Sequence, residues 1–84
     1  TQGGMIRLID AATRPIAAGA VVTNLETGEA FPVARDGEAF ITGLSAINRI
    51  RVSLRDKSCT IEFTYKRSAD PQPRLGTYTC KLKP

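Results

Sequence analysis

The chain of 84 residues contains no histidine, no tryptophan and only two cysteines, and these absences exclude whole classes of function. Histidine is the usual general base near neutral pH, so its absence argues against acid–base catalysis. A structural zinc site needs about four cysteine or histidine ligands, and the chain has too few. The serines also lack the flanking residues of a nucleophile elbow. We therefore expect no enzymatic activity, no metal and no cofactor.

Long hydrophobic runs are missing as well. The longest apolar stretch covers residues 16–22 and contains a glycine, so it is far too short to span a bilayer. We therefore expect no direct membrane insertion of this chain. Hydrophobic residues make up 42% of the sequence and charged residues 24%, which is typical of a globular domain. The length predicts one small domain.

Positive charge is concentrated in the second half of the chain. Residues 1–48 carry three basic and five acidic residues, whereas residues 49–84 carry nine basic and three acidic residues. A basic half is compatible with an acidic protein surface, a lipid or nucleic acid as a partner. The aromatic residues lie on apolar faces of the predicted strands and the arginines on the opposite faces. Because single-stranded nucleic acid needs both on one surface, we expect no nucleic-acid partner.

Short alternating segments, rather than helical periodicity, organise the chain. The predicted strands are Met5–Ile9, Ala20–Asn24, Ala30–Ala34, Glu38–Thr42, Ile50–Leu54, Cys59–Tyr65 and Tyr78–Leu82. Asp36-Gly37 predicts a tight turn, and Pro32 indicates an edge strand or a bulge.

About seven strands with one polar face each predict an all-β fold, a small antiparallel β-sandwich of Ig-like or transthyretin-like type. A small closed barrel is the alternative. The predicted core consists of Ile6, Leu8, Val21, Phe31, Val33, Phe40, Leu44, Ile50, Val52, Leu54, Ile61, Phe63, Tyr78 and Leu82.

The two cysteines both fall on apolar faces of predicted strands. Cys59 shares its face with Ile61 and Phe63, and Cys80 shares its face with Tyr78 and Leu82. Both sulfurs can therefore enter one buried layer, which predicts a Cys59–Cys80 disulfide and an oxidising compartment. Two buried free thiols are the alternative.

Three segments resemble the last periplasmic domain of bacterial outer-membrane ushers, the pores through which chaperone–usher fimbriae are assembled. They are "IRLIDAATRPIAAGAVV", "TGEAFPVARDGEAFITGL" and "IRVSLRDKSCTIEF". A cysteine at the head of a strand and a second cysteine near the C-terminus also match. Leu54 departs from the pattern, since many relatives carry tryptophan there.

The resemblance implies a non-enzymatic role in the periplasm. Residues 1–84 would then be a single β-sandwich domain excised from the C-terminus of a larger usher. Its implied partners are periplasmic chaperone–pilin subunit complexes, which it holds during pilus assembly and secretion, and other domains of the same usher. The alternative is a structural or adhesive β-sandwich spacer module of a secreted or surface protein.

Strand alternation places a charged row outside the core. Arg49, Arg51 and Arg55 are predicted to face solvent beside Glu62 of the next strand. Arginine is favoured at protein interfaces because its planar guanidinium forms paired hydrogen bonds. We therefore take Arg49, Arg51, Arg55 and Glu62 as candidate protein-binding residues. A solvated sheet face is the alternative for each of them.

Overall fold

A computed structural model describes residues 3–84 and contains seven strands and one short 3-10 turn. The strands are β1 (Gly3–Ile9), β2 (Val21–Asn24), β3 (Ala30–Pro32), β4 (Glu38–Thr42), β5 (Ile47–Leu54), β6 (Lys57–Thr64) and β7 (Arg74–Thr79). The 3-10 turn covers Arg35–Gly37, where the sequence predicted a tight turn.

The strands form two separate sheets, ordered β4-β1-β7 and β3-β2-β5-β6. All neighbours run antiparallel except β1 and β7, which are parallel. The predicted β-sandwich is confirmed, and the closed barrel is not the fold. β3, which contains Pro32, lies at the edge of its sheet, as that proline predicted.

The core lies between the two sheets and is built by strand alternation. Ile6 and Leu8 of β1 pack towards Ile50 and Val52 of β5, and all four side chains are fully buried. The complete buried apolar set is Ile6, Leu8, Ile16, Ala20, Val22, Val33, Ala39, Ile41, Leu44, Ile50, Val52, Ile61, Phe63 and Cys80. Phe31, Leu54, Tyr78 and Leu82 from the predicted core are only partly buried against it.

The prediction was wrong about which face of β2 and β4 enters the core. Val21 is 40% exposed, while Val22 is fully buried opposite Val52. Phe40 of β4 is half-buried on the outer face, where it lies opposite Met5. Each of these strands has apolar residues on both of its faces, so the sequence pattern alone does not determine which face enters the core. The pairing with neighbouring strands determines it.

The last strand begins and ends earlier than predicted. The sequence indicated Tyr78–Leu82, but β7 covers Arg74–Thr79. The Cys80 N–H still donates to the carbonyl of Ile9, the last residue of β1, at 2.7 Å. Because β1 offers no further partner, the chain then leaves this sheet, and Lys83 pairs with Ser58 of β6.

The Cys59–Cys80 disulfide is present and joins the two sheets. Cys59 lies in β6 of one sheet, and Cys80 directly follows β7 of the other. Their Cα atoms are 5.6 Å apart. The crosslink therefore closes the side of the sandwich where β6 forms the edge of its sheet. Within residues 3–84, no helix is long and apolar enough to cross a membrane.

Candidate functional site

The outward surface of the four-stranded sheet carries most of the candidate binding residues. We call it the arginine face and define it by Val21, Thr23, Ile47, Arg49, Arg51, Thr60, Glu62 and Thr64. These positions alternate with buried neighbours in β2, β5 and β6, so their side chains project away from the core. The face is a twisted but continuous surface, since the three strands pair without a break in register.

Arg49 and Arg51 lie side by side at the centre of the arginine face. Arg49 is directly opposite Glu62 of β6, and Arg51 lies between Thr23 of β2 and Thr60 of β6. Both arginines are exposed. In the described part of the chain neither arginine forms an ion pair. Two guanidinium groups are thus available to a partner on this face.

Arg55 is separated from this pair by the end of the strand. β5 ends at Leu54, which pairs with Lys57, and Arg55 occupies the turn between them. Its φ of 58° is left-handed and ends the strand alternation. The structure therefore brings Arg49, Arg51 and Glu62 together, and it places Arg55 at the rim of the face.

Two exposed apolar side chains complete the arginine face. Ile47, at the start of β5, is 60% exposed and lies opposite Thr64, while Val21 of β2 lies opposite Pro32. Neither residue was predicted to be exposed, because the alternating pattern begins the strand at Ile50 and places Val21 in the core. They lie at opposite ends of the face, because Val21 pairs with Ser53, six residues beyond Ile47 in β5.

Asn48 explains why Ile47 is on the outside. Its amide nitrogen donates to the Ser45 carbonyl and its side-chain oxygen accepts from the Ser45 N–H, both at 2.8 Å. The Asn48 side chain is fully buried, so these bonds stabilise the loop that precedes β5. Alternation then forces Ile47 to the opposite face. The signal in the sequence was that Asn48 has the same alternation as Ile50 and Val52, which places Ile47 on the side of Arg49 and Arg51.

The ion pairs in the described residues lie on the other sheet. Arg7 contacts Asp36 at 3.2 Å, and Arg74 contacts Glu38 at 3.5 Å. They engage two arginines of the three-stranded sheet and none of the arginine face. No group of three or more histidine, cysteine or acidic side chains in residues 3–84 could hold a metal ion.

A family model of the PapC C-terminal domain matches residues 5–67, which is most of the chain. The chain therefore belongs to the PapC C-terminal domain family, the usher domains that its sequence resembles. A solved structure of the Caf1A usher C-terminal domain has the same fold, with a TM-score of 0.80 at 24% identity over 96% of this chain and 98% of that one. For the Caf1A domain, conserved hydrophobic clusters on its surface are described as important for F1 antigen assembly. The comparison with curated proteins gives no match.

Membership in this family assigns the chain to an outer-membrane usher and to fimbrial assembly. The family is one of structural assembly domains. The resemblance to usher domains seen in the strand and glycine motifs is confirmed. The predicted Cys59–Cys80 disulfide is also confirmed.

Proposed function

We propose that this domain docks chaperone–subunit complexes in the periplasm and holds them while the usher assembles and secretes the fimbria. The role is non-enzymatic, and the arginine face is the docking surface. One observation carries the proposal: exposed Ile47 and Val21 share a sheet face with two arginines that form no ion pair within residues 3–84. Arginine beside apolar residues is the composition typical of a protein interface.

The Caf1A comparison supports an apolar contribution to this surface. Hydrophobic clusters on the surface of that domain matter for assembly of its antigen. In this chain, Ile47 and Val21 are the large apolar side chains that remain exposed among the described residues. We assign them the same kind of role, with the arginines selecting an acidic patch on the partner. Other domains of the same usher are further partners for the surfaces outside this face.

A transient handover requires modest affinity. The arginine face is a part of one side of a domain of 84 residues, so the contact belongs to the small interface class, below about 1,200 Å² in total. Small interfaces release their partners readily. Weak, salt-dependent binding is therefore the expected behaviour, rather than a stable complex.

Charge reversal on the arginine face tests the proposal. The variant Arg49→Glu/Arg51→Glu should weaken binding of the chaperone–subunit complex from the same fimbrial system by about tenfold or more, measured by surface plasmon resonance. Arg14→Glu/Arg35→Glu is the control, since it changes the charge equally at exposed sites away from this face. Thermal unfolding should be nearly unchanged in the control, because exposed substitutions stay within about 0.5 kcal/mol. The test variant places a glutamate opposite Glu62 and should lose up to about 1 kcal/mol, which leaves the domain folded for the binding measurement. Arg55→Glu alone shows whether the turn belongs to the interface.

Two results would overturn the proposal. Equal binding by the parent and by Arg49→Glu/Arg51→Glu would mean that the arginine face is only solvated. If no chaperone–subunit complex binds, and fimbriae still assemble after deletion of the domain, the chain is a spacer module instead.

A further inference from the structure

β6 is an edge strand with free backbone hydrogen-bonding groups. It pairs with β5 on one side, and near its start Ser58 exchanges two backbone hydrogen bonds of 2.9 Å with Lys83. Alternate residues of an antiparallel strand direct their N–H and C=O groups to the same side. Thr60, Glu62 and Thr64 therefore point theirs in the same direction as Ser58. Within residues 3–84, no backbone group pairs with them there.

This edge carries the charged Lys57 and Glu62, but it lacks three other features that protect exposed strands, namely a short length, a proline and a bulge. Natural proteins shorten edge strands or interrupt them with proline and bulges. β3, at the opposite edge of the same sheet, has three residues and ends in Pro32. In the other sheet, the pairing of β7 with β1 is broken by a register shift next to Gly76. β6 has eight residues, contains no proline and pairs with β5 in one unbroken register.

A basic groove runs beside the free edge. It has a volume of about 500 Å³ and lies between β6 and the segment that follows β7. Lys81 and Lys83 line it together with the residues Ser58, Thr60 and Thr79. Both lysines are exposed, and neither forms an ion pair within residues 3–84. Ammonium and hydroxyl groups together suit a carboxylate ligand.

We propose that the β6 edge binds an extended acidic segment of another protein as a fifth strand of the sheet. The backbone of the segment bonds to Thr60, Glu62 and Thr64, and its carboxylates lie in the groove near Lys81 and Lys83. Addition of a peptide strand to a sheet edge is a general mode of recognition. The edge shares Thr60, Glu62 and Thr64 with the arginine face, but it uses their backbone groups and the groove lysines, so this inference rests on strand geometry and not on the docking function proposed above.

Charge selects the occupant and its direction. The chain has a formal net charge of +4, which disfavours a second copy of itself at a groove lined by lysines. Glu62 lies along the same edge, two residues beyond Thr60. Its carboxylate repels acid at that position. The segment therefore carries its acidic residues at the Lys81 end and neutral or basic residues next to Glu62.

Defined peptides test the proposal. The probe is a ten-residue peptide of alternating threonine and valine with two aspartates at one end, prepared with the aspartates at either terminus to allow both strand directions. Amide hydrogen exchange of the 84-residue chain is followed by NMR at probe concentrations up to about 1 mM, the weak end of specific binding. Exchange should slow at Thr60, Glu62 and Thr64. The Thr23 amide, within the sheet, should not change.

Matched changes separate strand addition from simple charge attraction. Lys81→Glu should weaken binding about fivefold. Arg35→Glu is the control and should not weaken binding, because it makes the same charge change next to β4, at the edge of the three-stranded sheet that lies away from β7. A probe with lysines in place of the aspartates should bind weakly. An aspartate probe methylated on its backbone nitrogens should not slow exchange in β6, because it has no donors for the edge.

Three outcomes would overturn the proposal. In one, the aspartate probe slows no amide of β6 at any concentration tested. In another, the methylated probe protects β6 as well as the parent probe does, which would reduce the groove to a site of charge attraction. In the last, the β6 amides are protected without peptide and in proportion to protein concentration, so that the occupant is a second copy of the chain.

Discussion

Gly37 occupies a backbone position that other residues cannot adopt without strain. Its φ is 73°, in the left-handed region, and a Cβ added there would collide with the carbonyl oxygen of Leu8. Leu8 is a core residue of β1, and its carbonyl accepts a hydrogen bond from the Ile16 N–H at 3.0 Å. A side chain at Gly37 therefore disturbs the central strand of the three-stranded sheet as well as the turn.

We predict that Gly37→Ala lowers the free energy of unfolding by about 3 kcal/mol or more, because the collision adds to the cost of a positive φ. Gly28→Ala is the control: its φ is 80°, and nothing lies within 4 Å of an added Cβ. That variant should lose only about 1–2 kcal/mol, the cost of the backbone conformation alone. Urea unfolding measures both. Equal losses in the two variants would contradict the collision.

At the scale of strands, short β elements divide their residues between core and solvent according to their neighbours. In β2 the two adjacent valines are chemically identical, yet Val22 is buried between Phe31 and Val52, and Val21 lies beside Pro32 and Ser53. Intrinsic β propensity is the same for both valines, so the pairing of β2 with its neighbours decides which valine is buried.

A comparison of the two valines tests this directly. Val22→Ala should lower the free energy of unfolding by about 1.5–3 kcal/mol, the value of fully burying a valine side chain. Val21→Ala, which makes the same chemical change one residue away, should stay within about 0.5 kcal/mol. Thermal unfolding of both variants gives the difference. Similar losses at the two positions would mean that the register of β2 is not the one described.

Alternation in β1, β5 and β6 made much of the sandwich predictable. Burial follows a period of two through β1, over residues 47–52 of β5 and over residues 60–64 of β6, so Arg49, Arg51 and Glu62 were placed correctly on the outside. Arg55 was extrapolated from the same pattern, but a strand that ends at Leu54 cannot carry the pattern further. The groove beside β6 was beyond prediction, because it depends on where the segment after β7 crosses to Ser58.

The disulfide acts between elements, since it links β6 to the end of β7 across the sandwich. A crosslink over 21 positions restricts the unfolded chain and stabilises a small domain by roughly 3 kcal/mol. The double variant Cys59→Ala/Cys80→Ala should therefore lose about 2–5 kcal/mol in urea unfolding. Intact mass should rise by the mass of two hydrogen atoms when the parent is reduced. Thiols that alkylate freely in the folded, unreduced protein would contradict the prediction.

At the scale of the molecule, the arginine face combines two kinds of contact that respond differently to salt. Arg49 and Arg51 are exposed charges, whose attraction to a partner is screened over a Debye length of about 8 Å at 0.15 M salt and about 3 Å at 1 M. Ile47, 60% exposed, contributes through apolar burial, which salt does not screen. Binding of the chaperone–subunit complex should therefore weaken with salt in the parent.

The two contributions should separate in variants measured over the same salt series by surface plasmon resonance. Arg49→Ala/Arg51→Ala should bind more weakly at low salt and lose most of the salt dependence, because the screened charges are gone. Ile47→Ser should bind about tenfold more weakly at every salt concentration and keep the slope of the parent, since only unscreened apolar contact is removed. Its stability should barely change, as the side chain faces solvent. If the affinity of the parent does not depend on salt, the arginines do not contribute to docking. If Ile47→Ser binds as tightly as the parent, the apolar contact does not contribute and the charges alone account for binding.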